Sequence, residues 1–129
     1  TEDSSISRIT IVVDGDDHTV EQVEKQLNKL VQVIKVRTLQ PGTYISRELS
    51  LIKVTCHAKD RGDIMRIAEL MGARIIDVTK NCLTLEFSDT DERTETLLDL
   101  LRPFGFKEIV RAGAIAIEKG DKSTSIARK

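Results

Sequence analysis

The chain has 129 residues, of which 40% are hydrophobic and 32% charged, a composition that fits one medium globular domain or two small ones. Its 20 basic and 21 acidic side chains leave a net charge of -1, which gives no support to nucleic-acid binding through a basic face. The two cysteines are too few for a disulfide-framed secreted scaffold, and no apolar run reaches the ~20 residues that span a bilayer, so we expect a cytoplasmic protein.

The first predicted unit contains a strand, a helix and a second strand. Its elements are an alternating strand over residues 9–13, an amphipathic helix over residues 20–31 and a strand over residues 33–39. Thr19 is the predicted helix N-cap, with Gln22 three residues later as in a capping box. Pro41-Gly42 ends the unit.

The second predicted unit has six elements. They are strands over residues 47–58, 74–79, 82–87 and 106–119, a helix over residues 60–73 and a second helix that carries Leu97, Leu98, Leu100 and Leu101 and ends before Pro103 and Gly105. Gly72 is the predicted end of the first of these helices, and Asp89 or Asp91 the predicted N-cap of the second. Lys80-Asn81 suits a tight hairpin link. Gly113 suggests a bulge or bend in the last strand.

The order β-α-β-β-α-β is the split βαβ, or ferredoxin-like, motif, in which both helices lie on one face of an antiparallel sheet. The predicted fold class is α+β, with tandem ferredoxin-like units of which the first has only its second half. Such a half would lack a strand in the middle of its sheet, and we expect a strand from elsewhere to fill that position. The predicted boundaries are 1–40 for the incomplete unit, 41–47 for a linker, 48–118 for the complete unit and 119–129 for a flexible tail.

Five sequence blocks between Ser7 and Lys122 follow one another in a specific order. They read SRITIVV, EQVEKQLNKLVQVIKV, RELSLIKV, IIDVT and RAGAIAIEKGDK. In this order and spacing the chain resembles the small, regulatory subunit of acetolactate synthase (acetohydroxyacid synthase). The resemblance implies that residues 1–40 are the C-terminal half of an ACT domain and that residues 48–118 are the family's ferredoxin-like C-terminal domain.

The same resemblance implies a regulatory role. The small subunit would activate a catalytic large subunit that uses thiamine diphosphate, Mg and FAD in branched-chain amino acid biosynthesis. It would also transmit feedback inhibition by valine or another branched-chain amino acid, bound between two ACT domains of a homodimer or higher oligomer. The loop that contributes most of that effector site in the family lies upstream of Thr1, so no effector-binding residue is assigned.

No catalytic or metal site is predicted in this chain. Metal binding would need three or four convergent ligands, and Cys56 and His57 are neighbours on a strand, which places them on opposite faces. Cys82 and His18 complete the set of cysteines and histidines. The carboxylates Asp60 and Asp63 are read as flanking a helix start. We therefore expect no cofactor, no nucleic acid and no membrane as partners.

A small set of residues is the predicted interface with a partner or a second copy. Its members are Ser7, Arg8, Ile9, Arg47 and Glu48. The charged members stand at the starts of apolar strands, where a charge normally needs a counterpart. A surface ion pair is the favoured explanation for these charges, and the interface is the functional alternative. Two other functions stay open, a stand-alone amino-acid or metal sensor and a small enzyme on the same fold.

Overall fold

The structure is a computed structural model, and it describes residues 7–30 and 35–122. The chain divides into two compact units. One consists of Thr1–Ile45 with Ala116–Lys129, and the other of Ser46–Ile115.

The described helix of the first unit is α1, Asp17–Asn28. Its N-cap is Asp16, whose side chain accepts a hydrogen bond from the Thr19 N–H at 2.9 Å. The Thr19 N–H lowers the pKa of Asp16, because it stabilises the charged carboxylate. The prediction that Thr19 is the cap is therefore wrong by three positions, because an aspartate stood earlier in the same polar turn.

The segments on either side of α1 are not strands where the structure describes them. The described sheet has four strands, and residues 9–13 and 35–39 belong to none of them. Residues 33 and 34, also predicted to be in a strand, lie outside the described residues. Alternating side chains indicate a two-sided surface, but a strand also needs a neighbour that pairs with its backbone.

The remaining elements follow the predicted order. They are β1 (Tyr44–Thr55), α2 (Arg61–Met71), β2 (Arg74–Val78), β3 (Cys82–Asp89), α3 (Asp91–Leu101), a short 3-10 turn (Arg102–Phe104) and β4 (Phe106–Glu118). The sheet order is β2-β3-β1-β4. Both described registers, β1 with β3 and β2 with β3, are antiparallel. This is the predicted ferredoxin-like arrangement. The strand β1 begins at Tyr44, inside the predicted linker, and ends at Thr55, before the predicted end at residue 58.

The core of the second unit lies between the sheet and its two helices. Its buried apolar residues are Ile52, Val54, Cys56, Ile64, Ala68, Leu83, Leu85, Phe87, Leu97, Leu98 and Leu101. The predicted stripe of α2 is confirmed, because Ile64 and Ala68 are buried while Ile67 and Met71 pack against the core. Burial alternates along β1 and β3, so one face of the sheet carries the core.

The helix ends follow local chemistry. The prediction of Gly72 as the end of α2 is confirmed, because that glycine has a φ of 81°, which a side chain would disfavour. The N-cap of α3 is Thr90, whose hydroxyl accepts from the Arg93 N–H at 3.2 Å. The predicted caps Asp89 and Asp91 are therefore wrong. Asp89 instead accepts from the Thr90 N–H at 2.7 Å and pairs with Arg93, and Asp91 is the first helical residue.

Candidate functional site

The sheet of the second unit has an open face opposite its core. The helices α2 and α3 pack on the side of Ile52 and Val54, whereas Leu49 and Leu51 point the other way and are 45% and 39% exposed. Their cross-strand partners on β3, Ser88 and Glu86, are polar. Leu49 and Leu51 therefore form a small apolar patch on the open face of the sheet.

One outer edge of the sheet is poorly suited to pairing with another strand. The strand β2 has only five residues, and its register with β3 is irregular between Ile75 and Asp77. Arg74 forms a cross-strand ion pair with Glu86 at 3.5 Å. Short length, a bulge and charged side chains are the features by which proteins protect an edge.

The other outer edge is β4, which has 13 residues. Its segment 112–117 reads AGAIAI and carries no charge. Ile115, the last residue of the second unit, is 68% exposed. Gly113 has a φ of 85°, as expected for a bend in the strand. A long edge strand with an uncharged segment offers backbone donors and acceptors to another strand, so β4 is better suited to strand addition than β2.

Arg111 fixes β4 against two other elements of the second unit. Its guanidinium donates to Glu48 at 2.7 Å, to Asp91 at 2.8 Å and to Glu95 at 2.6 Å. Hydrogen bonds to Glu95 and Glu48 raise the pKa of Arg111. Because Glu48 lies in β1 and the other two carboxylates in α3, one side chain ties three elements together. Sequence reasoning missed this residue, although an arginine within an apolar strand was a signal that a counterpart was needed.

In the first unit, two arginines contact the end of β4. Arg37 donates to both carboxylate oxygens of Glu118, at 3.1 and 2.9 Å. Arg8 donates to the backbone carbonyl of Ala116. The Lys119 N–H, next along the chain, donates to the Thr43 carbonyl at 2.9 Å. The end of β4 is therefore held by both side-chain and backbone hydrogen bonds.

The predicted interface residues lie in different surroundings. Ser7, Arg8 and Ile9 are exposed in the first unit. In the second unit, Arg47 is exposed and donates to the Ser46 carbonyl at 2.7 Å, whereas Glu48 is buried and paired with Arg111. Neighbouring strand residues face opposite ways, so Arg47 and Glu48 do not share a surface. Contact of these five residues with a partner stays a prediction.

The residues considered for metal or catalytic chemistry are dispersed. His18 and His57 are exposed, Cys56 is buried with its thiol directed at the His57 carbonyl, and Cys82 is half-buried. Within residues 7–30 and 35–122, no three histidine, cysteine, aspartate or glutamate side chains gather as metal ligands.

Asp60 and Asp63 lie at the start of α2. Asp63 forms an exposed ion pair with Arg66 at 3.7 Å. The neighbouring Arg61 donates to the carbonyls of Thr79 and Lys80 in the β2–β3 link. Of the helices that the structure describes, none is long and apolar enough to cross a membrane.

Two family models match the chain. The model described as the small subunit of acetolactate synthase matches residues 47–120, and the model described as the AHAS small subunit-like ACT domain matches residues 1–35. The first match covers the described sheet and its two helices, apart from the first residues of β1.

Individual relatives carry the same description. The acetolactate synthase small subunit of Mycolicibacterium smegmatis is 41% identical over 128 residues, covering 99% of this chain and 75% of the relative. The probable acetolactate synthase small subunit of Archaeoglobus fulgidus is 41% identical over 122 residues, covering 95% and 76%. Among solved structures, the acetolactate synthase small subunit of Thermotoga maritima superposes with a TM-score of 0.77 at 34% identity, covering 84% of this chain and 68% of that one.

Proposed function

The chain belongs to the family of acetolactate synthase small subunits, and on that premise we propose that it activates a catalytic large subunit and makes it responsive to branched-chain amino acids, chiefly valine. The observation that carries the proposal is similarity to named small subunits over 99% of the chain, in the case of the Mycolicibacterium smegmatis relative. The reaction would take place in the large subunit, with thiamine diphosphate, Mg and FAD. This chain would contribute no catalytic group.

We propose the domain organisation that the sequence predicted. Residues 1–40 are the C-terminal half of an ACT domain, and 41–47 connect it to a ferredoxin-like domain of residues 48–118, with the last four connecting residues already in β1. Residues 119–129 are the tail, which begins at the Lys119 N–H bonded to the Thr43 carbonyl. The helix α1 supports this assignment, because none of its residues is buried and its apolar residues Val23 and Leu27 line an open groove, together with Leu30 just beyond its end. A helix with such a face is suited to packing on a larger sheet.

We propose that the small subunit forms a homodimer through the β4 edge. Two antiparallel copies of one strand form a self-complementary, two-fold symmetric pair, so a second copy fits this edge without any further element. The uncharged run from Ala112 onward brings no like charges together across such a pair. Since Arg8 occupies the Ala116 carbonyl, the part of the edge before Ala116 is the part that pairs.

The interface with the large subunit is proposed to involve the exposed members of the predicted set. These members are Ser7, Ile9 and Arg47, whose side chains are exposed to solvent. Arg8 and Glu48 would contribute indirectly, by holding Ala116 and Arg111 in place. Allosteric coupling of this kind is ordinarily ~1–3 kcal/mol, about 5- to 150-fold in affinity.

Reconstitution with the large subunit of the same organism tests the regulatory role. We expect the large subunit to form acetolactate faster as this chain is titrated in, with saturation near equimolar amounts, and this chain alone to give no product. Unchanged turnover across the titration, together with failure of the two proteins to co-elute, would contradict the proposal and favour a stand-alone sensor. Product from the isolated chain would favour a small enzyme.

A further inference from the structure

A cavity of about 330 Å³ lies within the first unit, beside the end of β4. Its lining residues are Thr38, Gln40, Gly42, Thr43, Glu118, Lys119 and Lys122. That volume is at the lower end of the range typical of small-molecule sites, ~300–1,000 Å³.

The walls of this cavity are held by hydrogen bonds that do not require a ligand. The Thr43 N–H and hydroxyl both donate to the Gln40 carbonyl, at 3.1 and 2.6 Å. The Thr43 carbonyl in turn accepts from the Lys119 N–H at 2.9 Å. Gly42 closes this turn with a φ of 82°. The turn that forms one wall of the cavity is therefore in place before a ligand binds, which lowers the entropy lost on binding.

The charge of the cavity is not balanced. Its one carboxylate, Glu118, is already neutralised by two hydrogen bonds from Arg37. Every ion pair in the described part of the chain is made by an arginine, and no described carboxylate pairs with Lys119 or Lys122. Lys119 and Lys122 thus line the cavity, and no carboxylate within residues 7–30 and 35–122 forms an ion pair with either of them.

We propose that this cavity binds a small dianion, either a phosphate or a short dicarboxylate. The ammonium groups of Lys119 and Lys122 would supply charge, and the Gln40 side-chain amide would add a hydrogen-bond donor. Lysine binds such anions as a point charge, so charge and size set the ligand class more than a fixed geometry does. This site does not depend on the proposed regulatory role.

Titration of the isotope-labelled full chain, followed by amide NMR, tests the site. The two arms are inorganic phosphate and malonate, both at constant ionic strength, with sodium chloride as the salt control. We expect saturable shifts centred on the Thr43 and Lys119 amides in at least one arm, and none with chloride. The arm that saturates at lower concentration identifies the ligand class.

Variants decide whether these lysines carry the binding. Lys119→Gln with Lys122→Gln is expected to weaken binding at least tenfold, whereas Lys80→Gln with Lys107→Gln, two exposed lysines of the second unit, should leave it unchanged. All four residues are exposed, so both double variants should fold, which their amide spectra will show. Equal weakening by both pairs, or shifts that chloride reproduces, would overturn the proposal.

Discussion

Arg111 and Glu48 are 63 positions apart in sequence, yet their side chains meet at 2.7 Å, with the Glu48 side chain only 8% exposed. The pair joins the edge strand β4 to the central strand β1. The Glu48 carboxylate can be buried at this position because the Arg111 guanidinium compensates its charge.

Removing the Arg111 side chain should therefore destabilise the fold, because the buried Glu48 carboxylate is left without its partner. Arg111→Met is expected to lower the free energy of unfolding by about 2 kcal/mol, since the buried Glu48 side chain loses its hydrogen-bond partner. The double variant Arg111→Met with Glu48→Met should recover most of that loss. Urea denaturation measures both, with Arg66→Met in the exposed Asp63 pair as the control. Equal losses in Arg111→Met and Arg66→Met would show that burial of Glu48 is unimportant.

Asp89 is expected to make the stability of the fold depend on pH, and the direction follows from its pKa. Its burial would raise the pKa, but the Thr90 N–H and the Arg93 guanidinium outweigh burial and hold the pKa below its usual range. A carboxyl with a lowered pKa in the folded state stabilises the fold above its unfolded value, ~3.9, and loses that contribution as pH falls through the folded pKa.

We accordingly expect Asp89→Asn to lower the free energy of unfolding by about 1 kcal/mol at pH 6, with the difference shrinking below about pH 4. Denaturation curves of both proteins at pH 6, 4 and 3 provide the measurement. Asp77→Asn, in the edge strand β2, is the control and should show no such trend. A difference that grows toward acid pH would show that the pKa of Asp89 in the folded state is not lowered.

Ser50 is a polar residue within the buried face of β1. Its side chain is fully buried, and its hydroxyl oxygen has no hydrogen-bond partner among the described residues. An unsatisfied buried hydroxyl costs ~1–3 kcal/mol, so Ser50→Ala is expected to raise the free energy of unfolding by about 1 kcal/mol. Thr94→Ala is a matched control that should be destabilising, because the buried Thr94 hydroxyl donates to the Thr90 carbonyl at 2.9 Å. Destabilisation by Ser50→Ala would indicate a partner for this hydroxyl.

The proposed dimer predicts the effect of a charge on the β4 edge. Ile115→Lys places like charges together in a symmetric strand pair, so we expect the dissociation constant to rise at least tenfold. Light scattering after size exclusion measures the mass. Leu70→Lys is the control, because Leu70 is 78% exposed on α2 and lies outside the sheet. A wild-type mass of one chain, or dissociation by both variants, would refute the β4 interface.

Local pattern was sufficient for much of this fold. The alternation along β1 separated the buried Ile52 and Val54 from the exposed Leu49 and Leu51, and the helical spacing of Ile64 and Ala68 identified the buried side of α2. Gly72 marked the end of that helix. These features depend on residues within a few positions of one another, because the backbone period alone sets which side chains share a face.

Tertiary structure decided where each charge finds its counterpart and which segments pair as strands. The partners of Arg111 lie in β1 and α3, and Arg37 meets Glu118 across 81 positions of sequence. Residues 9–13 alternate as β1 does but belong to no described strand. The physical reason is that ion pairs and strand ladders join groups that the chain brings together only on folding, and no local period encodes that choice.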